Sequence, residues 1–220
     1  MRATDEPAVH LPFDDFNDKI GGLIPLYFAK RIRRTMNLHK PGPWLLLASL
    51  EVLFLLHLAE FLYPGYSVSQ NYISDLGVGP EPSRSIFTVA LIGFGLMVLM
   101  AAALIRSEDK KNLLWLFFGL SGIGALGVGV FNENIVLPHT IFAMMAFAFG
   151  NIAAIYSFKR VRSPFSWMSI ALGLLGLSAL VILASGNYLG LGAGGMERIV
   201  FYAGIFWALA YGGNLLSTKV

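Results

Sequence analysis

The sequence predicts an all-α, polytopic membrane protein with six transmembrane helices and both termini cytoplasmic. Three observations predict it. The chain is 56% hydrophobic and only 13% charged, against roughly 25% charged in soluble domains. A soluble fold of 220 residues cannot hide that much apolar surface. Six apolar runs approach or reach the roughly 20 residues that a span needs. Lys and Arg fall almost entirely on one side of the topology those runs imply.

The runs are Trp44–Leu62, Ser85–Ile105, Leu113–Phe131, Leu137–Phe158, Phe165–Ala184 and Arg198–Leu216. Turn or charge signals bound them: Pro64-Gly65, Arg106–Asn112, Asn132–Asn134, Lys159–Pro164 and Gly186–Gly195. They are helices, because in lipid only helices and closed barrels satisfy their own backbone. The runs are too long and too little alternating for barrel strands. With the N-terminus inside, 14 of the 16 Lys and Arg are cytoplasmic, and only Arg84 and Arg198 lie outside. That asymmetry sets an even span count and a cell-membrane location. Small residues recur every four positions at Ser121/Ala125/Gly129, Ala146/Gly150/Ala154 and Gly204/Ala208/Gly212. This spacing predicts close helix–helix approach.

Two regions follow. Residues 1–40 form a cytoplasmic arm in which Pro25–Leu38 (PLYFAKRIRRTMNL) reads as a basic amphipathic helix on the membrane surface. Residues 41–220 form the six-helix domain. The acidic, Pro-containing start (MRATDEPAVHLPFDDF) has no basic-then-apolar pattern, so no cleaved signal peptide is expected. The pI near 9.2 comes from basic residues flanking apolar runs. Anionic headgroups are therefore the expected partner, not nucleic acid. The absence of cysteine excludes disulfides, thiolate metal sites and c-type haem attachment.

The polar residues inside and beside the spans gather at the outer end. Tyr66–Pro80 (YSVSQNYISDLGVGP) is a turn-rich loop between spans one and two, carrying Ser74 and Asp75. Glu133 lies between spans three and four, His139 opens span four, and Glu197 and Arg198 open span six. His57 and Glu60 share a helix face on span one, and Glu51 lies deeper on the same span. Ionisable groups in a span are costly and carry a functional hypothesis. Arg198 is expected to pair with Asp75 or Glu133 and to hold the loop over the bundle.

Three functions fit these residues. One is a metal-dependent hydrolase or lipid-modifying enzyme. His57, Glu60, His139 and Asp75 are its candidate ligands, Glu133 or Glu197 its base, and a Ser74–His139–Asp75 triad a variant. No H-E-x-x-H and no nucleophile elbow accompanies them. The second is a b-type haem electron carrier with His57 and His139 as axial ligands. The third is an accessory, scaffold or lipid-interacting subunit with an outward-facing polar pocket, partnered by membrane lipids or another membrane subunit. Every candidate residue also has a structural role open to it: Ser74 or Asp75 as a cap or Asx-turn, Glu197 on a helix dipole. The third reading is therefore preferred, with activity and cofactor left unassigned.

The pattern YS...N.ISDLG after span one, a His at the start of span four and GMERIVFYAGIFWALAYGGNLL at the end carry a resemblance. Over about Trp44 to Leu216 the chain resembles a prokaryotic membrane-protein family catalogued as a domain of unknown function (number 998). Ser74–Gly77 (SDLG) and Gly195–Arg198 (GMER) are its specific elements. Asn132–Asn134 departs from the Pro-plus-acid turn of that family, so no role passes to Glu133. The resemblance implies a bundle of six or so spans and no particular activity.

Overall fold

The computed structural model describes residues 37–217. The basic amphipathic helix expected over Pro25–Leu38 lies outside the described residues except at its last two positions. The described residues are all-α, with six helices and no strand: α1 Pro41–Phe61, α2 Ser83–Glu108, α3 Leu114–Val130, α4 Val136–Tyr156, α5 Phe165–Ala184 and α6 Gly192–Ser217. Two 3₁₀ turns, Ser74–Gly77 and Ser157–Arg160, complete them.

Five helices are long and apolar enough to cross a membrane. The sixth, α3, has 17 residues, about 25 Å of rise against a hydrocarbon core of about 30 Å. Each helix packs on its neighbours in sequence, and α6 closes the ring by packing on α1. From α2 onward short connections explain this order, because antiparallel neighbours need only a few residues between them.

Proline marks four helix starts, with Pro82 immediately before α2. Pro41 and Pro43 begin α1, where the missing N–H costs nothing, and Pro164 immediately precedes α5. Pro138 sits in the first turn of α4. The hairpin ends carrying Lys40, Arg106 and Arg160 are tied by Lys40–Glu108 at 2.9 Å and Arg160–Asp109 at 3.3 Å. Toward that end the core stacks Phe118, Trp207 and Tyr211, and Trp207 Nε1 donates to Ser169 Oγ at 3.0 Å. Toward the other end Leu76 of the long loop is fully buried among Val52, Leu56 and Phe87.

Two expectations change. Helix α6 starts at Gly192, not Arg198, so Glu197 and Arg198 lie in its second turn. Glycine weakens a helix by about 1 kcal/mol per residue, which hid this turn in the sequence. Tertiary contact overrides that cost, because a side chain at Gly194 would collide with the carbonyl oxygens of Val68 and Asn71. The small-residue stripes also divide. Gly212 allows close approach, its backbone lying against α1 at Gly42 and Leu46. Gly150 and Gly204 face side chains instead: a Cβ would press on Ser121 Oγ at 3.3 Å at the first, and the atoms nearest to it at the second belong to the Asn151 side chain, from 3.6 Å.

Candidate functional site

The segment from Leu62 to Pro82 crosses the end of the bundle as a strap. The first turns of α6 lie against it. Arg198 is the centre of the contact and is only 5% exposed. Its Nη1 donates to the carbonyls of Val68 at 2.7 Å, Asn71 at 3.1 Å and Gly194 at 3.0 Å. Its Nη2 donates to Glu60 Oε1 at 2.5 Å and to Tyr66 Oη at 2.7 Å. Nε has no partner. A planar fork with five donors suits such divergent acceptors, and an ammonium does not. Arg198 therefore pairs with Glu60, not with Asp75 or Glu133 as the sequence suggested. The reason is the early start of α6, which carries Arg198 down beside the last turn of α1.

The rest of the strap is internally braced. Tyr66 Oη donates to the Tyr72 carbonyl at 2.7 Å. Asp75 Oδ2 accepts from Asn71 Nδ2 at 2.8 Å and from Tyr72 N at 3.0 Å. Asn71 Oδ1 accepts from Ser67 N at 3.0 Å. Asp75 thus serves as a local loop-closing acceptor. The Tyr72 and Tyr188 hydroxyls meet at 2.7 Å. Burial, reinforced by this contact, pushes the Tyr72 phenol up to about 12. Burial likewise raises Tyr66 well above the ordinary range. Both hydroxyls stay protonated, and that of Tyr66 acts as a donor.

Glu197 is buried and accepts a hydrogen bond from Ile73 N. Together the two neighbours in the GMER element hold the strap at two points: Glu197 takes a backbone N–H and Arg198 takes backbone carbonyls. Glu133 reaches the same place from the α3–α4 turn, where Ser74 and Asp75 act on its carboxyl. Burial raises the Glu133 carboxyl above its ordinary value, and the neighbouring Asp75 adds to the rise.

The histidines are placed apart. His139 is buried, and its Nδ1 lies 2.9 Å from the Phe131 carbonyl. A carbonyl only accepts, so Nδ1 carries the hydrogen. The histidine–acid bond of a Ser74–His139–Asp75 triad is therefore replaced by a backbone contact. His57 is exposed; its Nδ1 donates to the Leu53 carbonyl at 2.6 Å and its Nε2 faces Tyr202 Oη at 3.1 Å. Glu60 is engaged by Arg198 and Asp75 by the strap. Among the described residues no group of three or more His, Asp or Glu is arranged to hold a metal ion. The four residues considered as metal ligands are thus not brought into one group.

Below the strap, Ser74, His139 and Glu197 line a chamber of about 50 Å³ whose other walls are apolar. A second chamber of about 80 Å³ lies deeper, bounded by α1, α2, α3, α4 and α6. Leu91, Ala146, Phe147 and Phe201 line both. Each exceeds the roughly 10–15 Å³ that one water occupies. Left empty, the deeper one costs about 2 kcal/mol at ~24 cal/mol per Å³.

The model of the family described as "Protein of unknown function (DUF998)" matches residues 46–214. The chain belongs to this family. No curated protein and no solved structure matches the chain. The part matched to DUF998 contains the whole strap, the clasp on α6, Glu133, His139 and both chambers. The family's description assigns no activity, so the site must be read from its own chemistry.

Several residues of the site escaped the sequence reading. Tyr66 and Asn71 stood in the quoted pattern but had no assigned role, because their partners are backbone groups of the strap and a side chain far along the chain. Asn151 was passed over inside span four. It is buried, its Nδ2 donates to the Phe147 carbonyl at 2.9 Å and its Oδ1 has no partner. A lone Asn in an apolar span is the signal that identifies it.

Proposed function

We propose that this protein is a six-span integral protein of the cell membrane, with both termini cytoplasmic and the strap outside. In this reading it is a lipid-interacting or accessory subunit. Lys40, Arg106, Lys110, Lys111, Lys159, Arg160 and Arg162 at one end, against Arg84 and Arg198 at the other, support the orientation. Helix α3 counts as the sixth span because it packs antiparallel between α2 and α4, both of full length.

The observation that carries this reading is the strap closed over two chambers that share four wall residues. Their walls are mostly apolar, with Ser74, His139 and Glu197 under the strap and Ser121 and Asn151 in the deeper one. The strap's charged groups are largely consumed in holding it shut, which fits a binding or accessory role. No grouping of ligands favours the metal-dependent or haem reading over it.

Native mass spectrometry of gently extracted protein tests the function. A stoichiometric lipid adduct is the expected result. A chain that carries only another protein subunit, or nothing, overturns the lipid reading. Topology is tested separately. Because the chain has no cysteine, single cysteines at Ser69 and Lys110 can be labelled selectively. Impermeant maleimide should reach the first from outside intact cells and the second only after permeabilisation. Labelling of both from one side rules out the proposed topology.

A further inference from the structure

We infer that the connection between α4 and α5 is a binding site for the phosphodiester head of one anionic phospholipid. It lies at the end of the bundle opposite the strap. It draws on the membrane-spanning fold and not on the chambers beneath the strap.

Three observations converge on it. First, an open notch of about 610 Å³ is cut into the bundle there, lined by Ile155, Tyr156, Phe158, Lys159, Arg160 and Ile170. Pockets that take small ligands run from roughly 300 to 1,000 Å³. Ile155 lies at the end of α4, and Ile170 about 8 Å along α5. Toward the middle of the bundle the two helices close, because Gly173 brings α5 against the Asn151 carbonyl and Ile155. The notch therefore admits a head group, and the tails continue along α5, where Met168, Leu174 and Leu175 are exposed.

Second, the charge at this notch is uncompensated. Ser157–Pro164 carries Lys159, Arg160 and Arg162 and no acid. The side chains of Lys159 and Arg162 are exposed and make no ion pair among the described residues. Arg160 reaches Asp109 at 3.3 Å and the Tyr156 hydroxyl at 3.5 Å, both at the surface. Exposed pairs are weak and readily exchanged for another anion. The dipole at the C-terminus of α4 accounts for Lys159 and Arg160. It does not account for Arg162, which stands two residues before Pro164, the N-cap of α5, near the positive end of that helix. The connection Arg106–Asn112 has as many cations, but Glu108 and Asp109 lie among them and Arg106 sits over the Trp115 ring at 4.8 Å.

Third, the depth is that of a head group. Trp167, in the first turn of α5, is 64% exposed and packs edge-on against Phe158 at 5.1 Å. Exposed tryptophan settles at the membrane–water interface. Cations at that depth meet lipid phosphates. A phosphatidylcholine head brings its own cation and gains less from Lys159 and Arg162 than a phosphatidylglycerol head does. A free phosphate ester gains nothing from the apolar half of the notch.

The test uses the purified full chain in mild detergent, titrated by native mass spectrometry with dioleoylphosphatidylglycerol and dioleoylphosphatidylcholine. One phosphatidylglycerol per chain is expected, at least tenfold tighter than phosphatidylcholine. Lys159→Gln combined with Arg162→Gln should remove that preference and leave phosphatidylcholine binding unchanged. Both side chains are exposed and unpaired, so the fold is kept, and an unchanged helical circular-dichroism spectrum checks this. Lys110→Gln combined with Lys111→Gln removes the same charge from the other connection and should leave phosphatidylglycerol binding within twofold. Glycerol 3-phosphate, added at equal concentration, should not displace the lipid. Phosphatidylglycerol binding no tighter than phosphatidylcholine overturns the site, whether or not the native adduct of the preceding section is found. Equal losses from the two double variants overturn it in favour of general surface charge. Displacement by glycerol 3-phosphate overturns the lipid as its occupant. A native adduct that survives Lys159→Gln with Arg162→Gln belongs elsewhere and leaves the earlier reading standing.

Discussion

Arg198→Met is the most informative perturbation of the clasp. Methionine keeps much of the side chain's volume and removes all five hydrogen bonds. Charge-assisted hydrogen bonds contribute about 1.5–3 kcal/mol each, so a simple sum exceeds 7 kcal/mol. That sum overshoots, because Val68 and Asn71 belong to a strap that can lift and return their carbonyls to water. The part that cannot rehydrate is Glu60, which is 13% exposed and keeps its charge without a partner. Breaking a buried pair on one side costs about 3–5 kcal/mol, and we expect a loss in that range. Arg198→Lys should recover less than half, since one ammonium cannot reach acceptors on the strap, α1 and α6 together. Glu60→Gln on the Arg198→Met background removes the stranded charge and should restore about 1–2 kcal/mol of the deficit. The assay is equilibrium unfolding in mixed micelles, paired with protease cleavage of the strap. A loss below 1 kcal/mol for Arg198→Met, or strictly additive effects of the two substitutions, would refute the clasp.

Other consequences can be measured in the same preparation. Gly194→Val places a side chain against the Asn71 and Val68 carbonyls, and should release the strap to protease while the bundle keeps its helical content. Asp75→Asn keeps an acceptor for Tyr72 N and Asn71 Nδ2, so it should cost only about 1 kcal/mol, whereas Asp75→Ala should cost more; equal losses would remove Asp75 from the loop closure. Glu133 gives a pH dependence with a definite sign. Its carboxyl binds its proton more tightly folded than unfolded, so its contribution is fully present below the ordinary value of 4.5 and declines as pH rises through the elevated folded value. Strap protection should therefore fall across mildly acidic pH, and Glu133→Gln should flatten that slope; an unchanged slope would place the titration elsewhere.

How much of this was legible in the sequence differs by element. Helix existence was, because roughly twenty apolar residues in lipid have no other way to satisfy their backbone. Five of the six expected starts lie within three residues of the observed ones. The start of α6 does not, because Gly192, Gly194 and Gly195 carry no local helical signal and are held by the strap above them. The convergence of Asp75, Glu133, Glu197, Arg198 and Glu60 at one end was also legible, since topology alone puts them there. Their pairing was not. Which acid faces Arg198 depends on the register of α6 against α1, and six residues of misplaced helix start change that register by about 9 Å.

The sequence by itself determined that the chain is a bundle of apolar helices with a polar strap at one end. Those features follow from composition, span length and charge placement, each a property of short stretches of chain. Tertiary structure decided what the strap holds and what lies beneath it. Arg198 meets Glu60 across 138 residues, and Gly150 and Gly204 face the side chains of Ser121 and Asn151 where their spacing suggested backbone contact. A side-chain spacing of four specifies a helix face. Only the packing of several helices decides whether that face meets another helix or a space between them.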